Sequence, residues 1–395
     1  MTAETAMIPY EPAFPAAEHE SRVARIQEVM GRRGLDGLVL TREPDVYYVS
    51  GFDTENHGDP QLVVIPHQGR PTLIALAFER GRVANTAWMS DVAYYERRSQ
   101  AVGVVSDVLR SAGLDRGAML GIEQGSGTLS PTELRALLGQ LPRAVVRDTD
   151  STMSRVRLRK SPRELSYMRE AGRISVAAIE AGGAAIAAGE PDTAVAAAIV
   201  ASLYLGGSDV VCWGPVVAAG YRAGAPHCTF NGRRIEHGDT VFLELTAQRR
   251  RYAAPVMGTW SVGPPRADLE RIAEAGATAI EVICERATAG VTASEVTRVV
   301  EERLLPILDR HGLYMPDRYG YSVGIGFPPT WDEDLGFVID RVNDMPFEAG
   351  MTFHLPISLR RYGEFGVNQS RTIVITEGRA EILTRAPASL AVGIV

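Results

Sequence analysis

The feature that most limits what this chain can fold into is a change of pattern near residue 150. Before it, short apolar runs of strand length alternate with helical stretches; after it, long helices come first and strands follow in blocks. Apolar residues recur at helical spacing from Glu18 to Arg33 and stop at Gly34-Leu35-Asp36-Gly37. Leu38-Val39-Leu40, Val46-Tyr47-Tyr48-Val49, Leu62-Val63-Val64-Ile65 and Thr72-Leu73-Ile74-Ala75 read as strands punctuated by Gly, Pro and Asp. Helical patterns at 79–89, 100–113 and 131–141 then alternate with strands near 92–96, 118–122 and 144–148. That alternation predicts an α/β domain over residues 1–155. Beyond it, helices to about residue 206, strands in 208–262, helices in 266–310 and strands in 319–393 predict an α+β domain over residues 156–395. The joint carries Arg155, Arg157, Arg159 and Lys160 ahead of Ser161-Pro162. Clustered basic residues repel in a core, so the run is expected to face solvent.

Composition excludes several classes. With 45% hydrophobic and 23% charged residues, the chain buries a core without staples. A formal charge of -7, mixed in sign along the chain, offers no basic face for nucleic acid. Cys212, Cys228 and Cys284 form no CxxC pair and suit a reducing compartment. Residues 1–20 lack the basic start and apolar run of a signal peptide. The Ala-rich stretch from Ser175 to Leu205 is interrupted by Gly182-Gly183 and by Gly189-Glu190-Pro191-Asp192, as buried helices are and a membrane span is not. A soluble, cytoplasmic protein is expected.

Four segments occur in an order that carries a resemblance: Val46-Tyr47-Tyr48-Val49-Ser50-Gly51-Phe52, Lys160-Ser161-Pro162-Arg163-Glu164-Leu165, Gly238-Asp239-Thr240-Val241-Phe242-Leu243-Glu244 and Gly350-Met351-Thr352-Phe353-His354. Together they resemble the pita-bread family of aminopeptidase P, prolidase, creatinase and ectoine hydrolase over nearly the whole chain. The resemblance implies a creatinase-type α/β N-terminal domain and an α+β pita-bread catalytic domain. Peptidases of that family hold two metals with two Asp, one His and two Glu, oxygen-rich ligands that let a cation pair activate a shared water. At the matching positions this chain has Glu244, Pro255, Tyr321, Leu355 and, at or beside the last, Ser370. One carboxylate does not hold two metals, so no metal and no other cofactor is expected.

Within the family the local wording is similar to the metal-free ectoine hydrolase branch, and less so to creatinase. Ala223-Gly224-Ala225-Pro226-His227-Cys228-Thr229-Phe230 resembles its histidine strand, and Gly320-Tyr321-Ser322-Val323-Gly324 through Trp331 its Pro-Pro-Asp-Trp turn. The chain departs from it in Asn368-Gln369-Ser370-Arg371, where that branch has an acid pair, at Gly258 and at Ala253. Ectoine, a zwitterion with a cationic amidine, then loses its counter-ion.

The resemblance implies His227 as general acid/base, against the bland reading of a hydrogen-bonded core histidine. Glu244 assists it, attacks directly, or is simply neutralised by Arg249–Arg251. His354 is a proton relay or a structural partner, and Tyr321 an oxyanion donor or packing. Trp260 and Trp331 either wall the pocket or belong to the core. Gln369 and Arg371 stand at former acid positions, where a guanidinium either binds a substrate carboxylate or simply points to solvent. In creatinase-like homodimers the loop holding Asn56 and His57 reaches the partner's site; here it is that, or a plain surface loop. The expected function is metal-independent attack on a C–N bond of an amidine, amide or guanidino group in a small polar substrate. A cyclase, lyase or dehydratase on the same scaffold, and a small-molecule-binding pseudoenzyme, are the alternatives.

Overall fold

In the computed structural model the described residues are 8–125, 127–333, 336–385 and 390–393. The chain divides into two compact units, Met1–Val156 and Arg157–Val395.

The first unit is built on a six-stranded sheet in the order Val92–Tyr95, Thr72–Leu76, Leu62–Pro66, Gly37–Leu40, Met119–Ile122, Val145–Asp148. Its central strands are buried on both faces, as the continuous runs Leu38-Val39-Leu40 and Leu62-Val63-Val64-Ile65 require. Val46-Tyr47-Tyr48-Val49 is not a strand. It lies in the helix Glu43–Ser50, which has Pro44 in its first turn and a left-handed Gly51 after its last. Every residue from Asp45 to Ser50 is buried, so burial carries no period there, and the end signals outweigh the β-propensity of Val and Tyr.

The second unit has two helix-on-sheet halves. In the first, helices Pro162–Ala184 and Asp192–Leu205 pack on a sheet ordered Ala391–Gly393, Val256–Val262, Thr240–Leu245, Val216–Ala219. In the second, Ala267–Arg286 and Ala293–His311 cover strands that include Arg318–Phe327, Thr352–His354, Ile357–Arg361 and Phe365–Gln369. Ser161 caps the first helix by accepting from the Glu164 N–H, while the Glu164 carboxylate accepts from the Ser161 N–H.

The basic joint does not face solvent throughout. Lys160 and Arg157 are buried around Glu333, and the Lys160 ammonium donates to the Glu333 carboxylate and to the Leu158 carbonyl. Burial penalises each of these charges alone, but the carboxylate between the two cations offsets their repulsion. Arg159, by contrast, points outward toward Glu348.

Candidate active site

Strands Thr240–Leu245 and Val256–Val262 form a hairpin in which Glu244 pairs with Met257. Beside it, Arg318–Phe327 pairs with Thr352–His354, setting Tyr321 opposite His354. These elements, with Ile357–Arg361, enclose a cavity of about 140 Å³ lined by Glu244, Met257, Tyr321, Arg360 and Ser358, with His227, Arg318 and two prolines, Pro316 and Pro356.

Glu244 opens onto this cavity, and among the described residues its carboxylate has no hydrogen bond or ion pair. Burial pushes its pKa from the ordinary 4.5 up to about 7, opposed in part by the Arg360 guanidinium. The Arg249–Arg251 run does not neutralise it: Arg249 pairs with Glu170 and Asp209, and the Arg251 guanidinium lies over the Phe327 ring. A desolvated carboxyl titrating near neutrality can both take and return a proton at physiological pH.

Tyr321 and His354 belong to one hydrogen-bonded chain. The Trp331 indole donates to the Tyr321 hydroxyl at 3.0 Å. His354 Nδ1 lies 2.8 Å from that hydroxyl, and its Nε2 lies 2.7 Å from Ser370 Oγ, which also accepts the Met257 N–H. Burial pushes the His354 pKa down to about 3, so the ring is neutral and carries one proton. A proton on Nε2 would give Ser370 two donors and leave its own hydroxyl proton without an acceptor at a fully buried position. A proton on Nδ1 satisfies the chain: Ser370 donates to Nε2, and Nδ1 and Trp331 both donate to the Tyr321 oxygen. The Tyr321 proton is then left for the cavity. Burial and the nearby Glu244 raise the Tyr321 pKa well above its ordinary value, so the hydroxyl stays protonated as a donor.

His227 is not on a strand. It sits in a turn after the short helix Gly220–Gly224, exposed on the cavity rim, with φ of 55° and its ring 6.3 Å from that of Trp213. Pro226 and Gly224 are turn residues, and they break the strand reading.

Three side chains proposed for substrate binding point elsewhere. Gln369 pairs with Ile357 and faces the helix Ala267–Arg286, donating to the Ala273 carbonyl. Arg371 donates to the Ser370 carbonyl and lies near Cys284 and Glu281. Trp260 packs in the core on Gly183, where a Cβ would come within 2.5 Å of its ring. Trp331 reaches the site through its bond to Tyr321. In the first unit, Asn56 donates to Asp59 and His57 pairs with Glu43 at 2.8 Å.

Arg360, Arg318, Ser358 and Met257 were missed as cavity residues. The alternation Ile357-Ser358-Leu359-Arg360 did signal that Ser358 and Arg360 share a face opposite the apolar pair.

The five positions that match family metal ligands bring together a single carboxylate. Pro255 and Leu355 have no side-chain donor, the Tyr321 hydroxyl oxygen holds two donors, and Ser370 Oγ is held between Met257 and His354. Among the described residues no three of His, Cys, Asp and Glu come together, and two arginines line the cavity. These residues do not fit a two-metal centre.

Residues 166–377, more than half of the chain, match the model of metallopeptidase family M24. The chain belongs to that family. Residues 22–159 match the creatinase/prolidase N-terminal domain. An uncharacterized hydrolase/peptidase, y4tM, of Sinorhizobium fredii is 28% identical over 96% of this chain and 98% of its own length. The ectoine hydrolase of Halomonas elongata is 26% identical over 97% of this chain and 99% of its own. Among solved structures, dipeptidase PepE from Mycobacterium ulcerans superposes with a TM-score of 0.82 at 22% identity, covering 96% of this chain and 100% of that one. An Xaa-Pro dipeptidase from Bacillus anthracis gives a TM-score of 0.82 at 22% identity, covering 95% and 99%. These likenesses bear out the creatinase-type N-terminal domain and the pita-bread fold. Among the described residues no helix is long and apolar enough to cross a membrane.

Proposed function

We propose that this M24 chain is a metal-independent hydrolase of a C–N bond in a small polar substrate. The observation that carries this reading is Glu244, a carboxyl with no hydrogen bond or ion pair among the described residues, sharing a small cavity with a hydroxyl donor, Tyr321, where two of the family's metal-ligand positions hold Pro255 and Leu355. The similarity to an ectoine hydrolase supports C–N chemistry. The central proton transfer then belongs to Glu244, while His227 lies on the exposed rim of the cavity.

For an amide, the step balances as follows. A water oxygen bonds to the trigonal carbon while its proton passes to the Glu244 carboxylate. The carbonyl electrons move onto oxygen, where the Tyr321 hydroxyl donates to the developing charge. The tetrahedral carbon collapses, the C–N bond breaks, and Glu244 returns its proton to the leaving nitrogen. His354 and Trp331 act by fixing the Tyr321 oxygen, so that its proton is aimed before the substrate arrives.

The test is turnover of small amides, amidines and guanidino compounds in water enriched in heavy oxygen, with and without a strong chelator. Chelator-insensitive turnover that places solvent oxygen in the product is expected. Turnover without solvent oxygen, or turnover lost on chelation and restored by a divalent metal, overturns the reading. Tyr321→Phe is expected to lower kcat about 10²-fold with KM changed little, the cost of removing one oxyanion donor.

A further inference from the structure

In the strand Ile357–Arg361, apolar and polar residues alternate from Ile357 to Arg360. Ile357 and Leu359 lie against Gly276 of the helix Ala267–Arg286, which leaves Ser358 and Arg360 on the cavity side. Arg360 is only 7% exposed, and its Nε has no hydrogen-bond partner among the described residues. Its guanidinium lies 6.0 Å from the centre of the Phe242 ring and near Glu244, with no ion pair to it among the described residues. A buried guanidinium with an unused donor is costly unless something completes its hydrogen bonding, and an acceptor entering the cavity would do so.

The charges around this cavity are lopsided. Arg360 lines its wall and Arg318 its exposed rim, against one carboxyl, Glu244. The next acid, Asp332, acts on Tyr321 but already accepts from the Thr330 hydroxyl. A cationic group would therefore meet two guanidinium groups against the single carboxyl of Glu244, which the reaction needs as its base.

Resting on the hydrolase reading above, we infer that the cavity selects a small substrate of net negative charge. Its carboxylate is held by Arg360, and its scissile C–N bond lies in an uncharged amide or ureido group rather than an amidinium or guanidinium. Arg360 is then the specificity-determining residue: it completes its own hydrogen bonding with the substrate carboxylate and repels a cationic reacting group.

Two probes separate these classes. N-carbamoylglycine and guanidinoacetate share a carboxylate and a skeleton but differ in a neutral ureido oxygen against a cationic guanidinium nitrogen. Binding of each to the purified full chain is measured by calorimetry at neutral pH, independently of turnover. N-carbamoylglycine is expected to bind at least about tenfold tighter, since like-charge juxtaposition in a desolvated site is strongly unfavourable. Arg360→Gln is expected to weaken N-carbamoylglycine by tenfold or more and to erase the preference, while Arg360→Lys retains it. Equal or tighter binding of guanidinoacetate, or no binding of either probe at millimolar concentration, overturns the inference. Selective binding with no hydrolysis of any C–N substrate would overturn the hydrolase reading and leave the charge selection standing.

Discussion

Glu244→Gln is expected to lose about 10²–10⁴-fold in kcat while leaving a folded protein that is more stable above neutral pH. The two effects have one cause. The carboxyl is desolvated and has no partner among the described residues, so its pKa rises from the ordinary 4.5 to about 7. Between those values the folded state holds a proton that the unfolded state has released. Stability therefore falls as pH climbs through that window, by about 2 kcal/mol once solvent in the cavity is allowed for. The amide of Gln keeps the shape, carries no charge to desolvate and cannot take a proton from water. Urea denaturation at pH 5 and pH 8, beside a pH–rate profile, reads both effects. In the unsubstituted enzyme kcat/KM should rise through about pH 7, because Glu244 must be ionised to accept the proton from water. A Gln variant that retains turnover, or a pH-independent rate, would remove Glu244 from the mechanism.

The second large effect is on stability. The side chains of Lys160 and Glu333 are each 1% exposed, and Arg157 lies on the other carboxylate oxygen at 3.9 Å. Glu333→Ala leaves two buried cations facing each other without the carboxylate, a loss of about 3–5 kcal/mol. For a unit of this size that corresponds to a fall in Tm of about 10 °C, readable by scanning calorimetry. A fall below about 1 kcal/mol would mean that water or a side-chain rearrangement replaces the carboxylate. Glu333 also follows Trp331 closely in sequence, and its N–H donates to the Ser322 carbonyl. The same substitution is therefore expected to loosen the indole that holds Tyr321 and to lower kcat, a secondary readout in the same protein.

Much of this was legible in the chain itself. The alternation before residue 150 and the helix-then-strand blocks after it specify the layers, because an amphipathic period is written locally and needs no tertiary information. The loss of donors at Pro255 and Leu355, and the survival of Glu244, are matters of residue type and needed no coordinates. Where local signals competed, the reading failed. Val46–Val49 are β-formers held in a helix by Pro44 and Gly51 at its ends, and His227 follows a proline that turns the chain.

Tertiary structure alone decided which side chains meet. A strand alternates faces, so a one-residue difference in register separates Gln369, turned to the helix, from Asn368 on the other face. The same alternation turns Arg360 into the cavity, while Arg371 lies elsewhere. The charge run before Ser161 likewise looks solvated in sequence, because Glu333, the group that permits its burial, lies 173 residues from Lys160. Residue type settles which chemistry a chain has lost. Which groups carry what remains is settled by pairing across distant strands, since burial, pKa and hydrogen-bond direction depend on neighbours that sequence proximity does not supply.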